Sequence, residues 1–113
     1  MRVLVTGVDG YIGCLLAPYL RGRGHEVVGL DTGYYRDGWL FNDTALVPQA
    51  PPTLNKDIRE VTLEDLRGFD VVCHLAELSN DPLCENTPEL TFEINHKGSV
   101  RLAELAKAAG VRR

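Results

Sequence analysis

The 113-residue chain is poor in cysteine, tryptophan and methionine, with three, one and one respectively. Cys14, Cys73 and Cys84 form no Cys-x-x-Cys pair and give no metal-site signature. An odd, scattered set of thiols without an export signal fits reduced cysteines, and the expected compartment is the cytoplasm. Positive charge is also short. Twelve Lys and Arg against 16 Asp and Glu give −4 at neutral pH, so overall charge draws the chain to neither nucleic acid nor an anionic membrane. No apolar run approaches the about 18 residues that would suggest a membrane span. The chain opens directly on a strand-like run, with no apolar leader and cleavage site. There is no internal repeat. No triad or other catalytic constellation stands out, and the catalytic set is expected to be empty.

What is present is an alternation. At this length one domain with a single core is expected, spanning residues 1–113. Residues 2–6 (Arg-Val-Leu-Val-Thr) read as a buried parallel strand. Ile12, Leu15, Leu16, Tyr19 and Leu20 then recur at helical spacing over 11–23. Pro18 should bend that helix and Gly24 should end it. Residues 26–31 form a second strand and complete a βαβ unit. Residues 32–52 show no sustained period, with a short helical turn expected near Trp39 and Asn42. A third strand is expected over 53–58, and Thr62 with Asp65 marks a helix start that Gly68 closes. Residues 69–75 read as a fourth strand, 76–87 as a loop, and 89–109 as the longest helix, closed by Gly110. The fold class is α/β: a doubly wound parallel sheet of four strands in order 3-2-1-4, stopping before a fifth.

The chemistry lies in Thr6-Gly7-Val8-Asp9-Gly10-Tyr11-Ile12-Gly13, between first strand and first helix. That setting separates a dinucleotide-binding loop from a chance glycine pattern. Gly7 allows a tight turn, Gly10 removes a Cβ where a pyrophosphate would approach, and Gly13 allows close helix packing on the sheet. Main-chain N–H groups and the positive helix end would face the phosphates. The spacing is Gly-x-x-Gly-x-x-Gly, with the middle glycine one place later than in Gly-x-Gly-x-x-Gly. Asp31 ends the second strand 18 residues after Gly13, where a carboxylate accepts the adenosine ribose hydroxyls and repels a 2′-phosphate. NAD is therefore expected over NADP, although Arg36 nearby would soften that preference. His74 reads as a hydrogen-bonded core histidine. Ser79, Asn80 and Asp81 read equally as ligand contacts or as a turn at Asp81-Pro82. Tyr34, Tyr35 and Trp39 read as an adenine flank or as cover for a sheet edge.

The glycine run resembles that of the extended short-chain dehydrogenase/reductases, in their nucleotide-sugar epimerase and dehydratase branch. Asp57-Ile58-Arg59 is similar to that family's acid-apolar pair after the third strand, and His74-Leu75-Ala76 to its fourth-strand ending. Asn95-His96-Lys97-Gly98-Ser99 is similar to its helical Asn-x-x-Gly-Ser/Thr segment. The resemblance runs the length of the chain. It implies cofactor binding by Gly7, Gly10, Tyr11, Ile12 and Gly13, with Asp31 at the ribose. Asp57 and Ile58 would stand at the adenine, and the backbone of Leu75, Ala76 and Glu77 beside ribose and pyrophosphate. Val8-Asp9 stands where Gly-Ala or Ala-Thr is common, and Glu77 where a small residue is usual. Each places a carboxylate near the phosphates.

The same resemblance implies NAD as cofactor and a nucleotide-sugar substrate for the larger architecture. The family's Tyr-x-x-x-Lys pair would lie beyond residue 113. An exposed fourth-strand edge at Val71, Val72 and Leu75 would invite a homodimer, or completion by the missing C-terminal part. Three functions fit: the cofactor-binding part of an epimerase, dehydratase or reductase; an NAD-binding module without turnover; or a structural fragment. No nucleic-acid, membrane or metal partner is expected.

Overall fold

The computed structural model describes residues 1–34 and 50–113. The expected helical turn near Trp39, and the roles suggested for Tyr35, Arg36 and Trp39, fall outside these residues. Strands β1 (Arg2–Thr6), β2 (Glu26–Asp31), β3 (Thr53–Asn55) and β4 (Val71–His74) form one parallel sheet in the order β3-β2-β1-β4. Val5 sits opposite Gly29 on β2 and Cys73 on β4, so all the strands run toward the same carboxyl edge.

Both faces of the sheet are covered, which is why β1 is apolar at successive positions rather than alternating with polar ones. Val3, Val5 and Val27 point to one side and pack with Val8 and Ala17 beneath helix α1 (Gly13–Gly22). Leu4 and Leu30 point to the other. They join Ile58, Val61, Leu66, Phe69, Ile94 and Leu102 in the larger core. Leu4, Leu30 and Leu66 are fully buried, each contributing roughly 2 kcal/mol of transfer free energy.

Helix α1 continues through Pro18, whose missing N–H leaves the Cys14 carbonyl without its helical donor. Gly24 follows at φ +83°, the left-handed turn that ends the helix. Helix α2 (Leu63–Leu66) opens on a complete capping box between Thr62 and Asp65, as the sequence pattern requires.

Three expectations need correction. The third strand ends at Asn55, because Asp57 caps a 3-10 turn (Ile58–Glu60) that buries Ile58 in the core. The stretch 76–87 contains helix α3 (Asp81–Asn86), capped when the Asn80 side chain accepts the Leu83 amide at 3.2 Å. The Asn-Asp-Pro run is thus a helix start, with Pro82 in the first turn where its missing N–H costs nothing. The long C-terminal helix is composite. Helix α4 (Pro88–Thr91) leads into a π-helical segment (Phe92–Gly98), and helix α5 (Ser99–Ala108) completes it. The wider π turn keeps Ile94 and Gly98, four residues apart, on the buried side.

Beyond α5 the backbone returns along β4. The Arg112 amide donates to the Asp70 carbonyl at 3.0 Å, and the Val72 amide to the Arg113 carbonyl at 2.8 Å. The β4 edge is therefore partly paired, and Val71, Val72 and Leu75 are half-buried rather than exposed.

Candidate functional site

The glycine loop sits at the carboxyl end of β1 and is held from three sides. The Gly7 amide donates to the Leu30 carbonyl at 2.8 Å, and the Gly10 amide closes the turn onto the Gly7 carbonyl at 3.0 Å. Gly7 has φ +68°, and a Cβ there would stand 2.8 Å from the Ala76 amide nitrogen and the Leu75 carbonyl. The glycine run and the segment after β4 therefore touch backbone to backbone. Gly13 is needed for close packing against the loop itself, since its Cβ would meet the Gly7 carbonyl at 2.3 Å and Val8 at 2.7 Å. Gly10 is exposed, and a Cβ there would approach only the Gly7 carbonyl, at 3.2 Å.

Tyr11 and Ile12 lead into α1 with their side chains in solvent, 88% and 61% exposed. Their amides have no hydrogen-bond partner among the described residues. Two free donors at the positive end of a ten-residue helix, beside a glycine without a Cβ, form a cradle for an anion. These two residues are thus equipped to act through their backbone.

Asp31 lies beside that cradle. Its Oδ2 accepts the Asp9 amide at 3.0 Å and its Oδ1 the Gly33 amide at 2.8 Å, so the carboxylate bridges the glycine loop and the chain leaving β2. Each oxygen retains capacity for a further donor. One strand outward, Asp57 accepts the Arg59 amide at 2.8 Å and the Arg59 guanidinium at 2.7 and 3.0 Å. The guanidinium holds the Asp57 carboxyl below the usual carboxylate range, against the opposing effect of partial burial. Ile58 lies in the core, so only its backbone is available to a ligand.

On the other side, Thr6 is completely buried, and its Oγ1 accepts the amides of Leu75 and Ala76 at 3.1 and 3.2 Å. Those two N–H groups are therefore occupied. Glu77 is exposed there. Thr6 also meets His74 Nδ1 at 2.8 Å, and His74 Nε2 meets Ser99 Oγ at 2.8 Å. His74 is thus hydrogen-bonded at both nitrogens. Asn95 grips the Leu78 backbone with both ends of its amide, at 2.8 and 2.9 Å. The sequence signalled this network only faintly, through a threonine just before Gly7 and a histidine ending an apolar strand. Ser79 and Asn80 are exposed, and Asn80 serves as a helix cap. Among the described residues no cluster of His, Cys, Asp and Glu is suited to a metal ion.

A parallel sheet in this order, with a glycine loop feeding a helix after β1 and an acid ending β2, defines a Rossmann-type dinucleotide-binding unit. The sequence model of the NAD dependent epimerase/dehydratase family matches residues 3–113, and the chain belongs to that family. It is 36% identical to the UDP-glucose 4-epimerase of Mycolicibacterium smegmatis, over 100% of this chain and 37% of the relative. It is 34% identical to the UDP-glucose 4-epimerase of Streptomyces lividans, over 99% of this chain and 34% of the relative. Among solved structures, UDP-glucose-4-epimerase from Stenotrophomonas maltophila, with bound NAD and formylated UDP-arabinopyranose, superposes with a TM-score of 0.81 at 30% identity. That match covers 98% of this chain and 34% of the other. The dTDP-glucose 4,6-dehydratase of Streptomyces venezuelae, with NAD bound, gives 0.81 at 28% identity, over 100% of this chain and 38% of the other. The chain thus spans about a third of the length of the curated relatives it matches.

Proposed function

We propose that this chain binds NAD as the cofactor-binding part of a nucleotide-sugar epimerase, dehydratase or reductase. The observation that carries the reading is the cradle of Gly10 and the free Tyr11 and Ile12 amides, with the Asp31 carboxylate beside it. Pyrophosphate fits the first and a ribose diol the second. On this reading the base lies over β3, near Asp57 and the Ile58 backbone, and the second ribose near the backbone of Leu75 and Ala76 and near Glu77. Asp31 opposes a 2′-phosphate, which supports NAD over NADP. Bound NAD supplies hydride exchange at a sugar carbon; this chain's share is to bind and orient the cofactor. A nucleotide sugar is the corresponding substrate of the larger architecture.

The narrower alternative is an NAD-binding module without turnover. In either case the β4 edge and the composite helix are the surfaces proposed for a homodimer, or for completion by further chain. Among the described residues no helix is long and apolar enough to cross a membrane, and cytoplasmic residence is part of the proposal.

Calorimetric titration with NAD, NADP and ADP-ribose tests the reading, with Gly10→Val as control. Saturable binding of NAD and ADP-ribose, weaker binding of NADP and loss in Gly10→Val are expected. A folded chain that binds none of them would favour the structural-fragment reading.

A further inference from the structure

The hydroxyl of Thr6 decides how the protons of His74 are placed. Thr6 Oγ1 accepts two amides, those of Leu75 and Ala76, which fills both of its lone pairs. Its single hydrogen is left for His74 Nδ1, 2.8 Å away, so Nδ1 must be a bare acceptor. The other end of the ring gives the same answer independently. Ser99 donates its one hydroxyl hydrogen to the Asn95 carbonyl at 2.6 Å, so at 2.8 Å from His74 Nε2 it can only accept. Both ends require the neutral ring with hydrogen on Nε2.

We propose that neutral His74 is a positioning residue, a clamp that holds the glycine loop against the segment after β4 and ties both to the π-helical segment. The chain of contacts runs from Thr6, next to Gly7, through His74 and Ser99 to Asn95, whose amide holds Leu78. Gly7 and Ala76 touch at backbone distance, so their spacing depends on Thr6 holding the Ala76 amide. A second proton on the ring breaks this arrangement. Nδ1–H then becomes a third donor aimed at an oxygen that already accepts two, and an amide must leave. The Leu75 amide has the Thr6 carbonyl at 3.2 Å as an alternative, whereas among the described residues only Thr6 Oγ1 holds the Ala76 amide. Ala76 is therefore the amide released, and the loop beside it loosens.

The surroundings favour the neutral ring at ordinary pH. Partial burial pushes the His74 imidazole below its usual range, with the Glu77 carboxylate pulling the other way. Thr6, Ser99 and Asn95 bring no charge from β1 or the helix. The groove that His74 helps to line also includes Lys107 of α5 and Arg112 and Arg113.

The consequence for cofactor binding rests on the reading of the loop as an NAD cradle; the clamp itself does not. Nitrogen-15 NMR of the full chain should show bare Nδ1 and protonated Nε2 at about pH 7.5, with the Ala76 amide protected from exchange. Lowering the pH should speed Ala76 exchange in step with His74 protonation. NAD affinity should fall about tenfold for each pH unit below that titration. His74→Asn places a non-titrating acceptor toward Thr6 and retains His25 and His96. It should keep Ala76 protected and NAD affinity flat. Thr6→Ser should behave as wild type, and Thr6→Val should expose Ala76 at every pH. An Nδ1–H tautomer, an Ala76 amide indifferent to His74 protonation, or the same affinity loss in His74→Asn would each overturn the clamp. An intact Ala76 response without NAD binding at any pH would confirm the clamp and overturn the cofactor reading.

Discussion

Asp31 reaches from the end of β2 to the Asp9 amide, 3.0 Å away in the glycine loop, so the carboxylate suited to bind a ribose also braces the loop suited to bind the pyrophosphate. Its second oxygen meets Gly33 at 2.8 Å. Asp31→Ala therefore does more than delete a ligand contact. Two amides lose a charged acceptor, worth about 1.5–3 kcal/mol per hydrogen bond in favourable cases. We expect NAD affinity to fall about 10- to 100-fold and the melting temperature to drop as well. NADP affinity should fall less, because the repulsion of its 2′-phosphate disappears. Paired calorimetry and thermal melts check both halves. Unchanged stability would mean that the brace contributes nothing.

The three loop glycines separate by experiment. Gly7→Ala and Gly13→Ala drive a Cβ to within 2.8 and 2.3 Å of backbone atoms, and Gly7 also has φ +68°. Each should destabilise the fold by about 2 kcal/mol or more. Gly10→Ala only asks the Gly7 carbonyl at 3.2 Å to yield slightly. It should melt within a few degrees of wild type yet bind NAD about tenfold more weakly, because its Cβ stands where the phosphates approach. Urea unfolding with NAD titration distinguishes the two classes. A Gly10→Ala chain with undiminished binding would remove that glycine from the site.

The sheet was legible because its signals are local and redundant. Val3, Leu4 and Val5 form an apolar run, Gly24 ends α1, and Thr62 with Asp65 writes a capping box into four residues. Each element has its own marker, and strand order follows from the alternation of strands and helices. The misread elements are those decided by tertiary contacts. Period counting over Phe92–Gly98 cannot tell an α turn from a π turn, and the π turn brings Asn95 to Leu78, 17 residues earlier in sequence. The end of β3 was placed too late because Asp57 was weighed as a ligand residue and not as the cap it forms. The glycine loop and Asp31 were visible as types at a spacing. The Thr6–His74–Ser99 relay was not, because it joins residues from three separate elements.

Acid should weaken the fold through three aspartates. Asp57 is held below the usual range by Arg59, and Asp70 by the Arg2 amide and Arg112. At Asp65 burial pushes upward, but Lys56 at 2.6 Å and the Thr62 amide and hydroxyl at 2.7 Å outweigh it. A depressed folded-state pKa means that the unfolded chain takes up protons first. The stabilisation is present above about pH 4 and disappears as pH falls through the folded-state values. Melting temperature should be insensitive to these groups near neutrality and should decline below about pH 4. Asp65→Asn should flatten that decline, and its own cost near neutrality should be about 1 kcal/mol, since the pair is partly exposed to solvent. An acid limb unchanged in Asp65→Asn would exclude Asp65 from it.

Asn95 offers the sharpest contrast between two near-isosteric changes. Its Oδ1 accepts the Leu78 amide and its Nδ2 donates to the Leu78 carbonyl, so it matches the backbone as a neighbouring strand would. Asn95→Ala leaves the half-buried Leu78 amide without a partner and its carbonyl with the weak Cys84 thiol donor at 3.0 Å, at about 1–3 kcal/mol. Asn95→Asp keeps the acceptor for the amide but turns a second oxygen against the carbonyl. That repulsion should make it as damaging as alanine near neutrality, and less so once acid protonates the carboxyl and restores a donor. Thermal melts of both variants across pH test this. Asn95→Asp should approach wild type on acidification relative to Asn95→Ala. A constant gap between them would show that the Leu78 carbonyl does not need its donor.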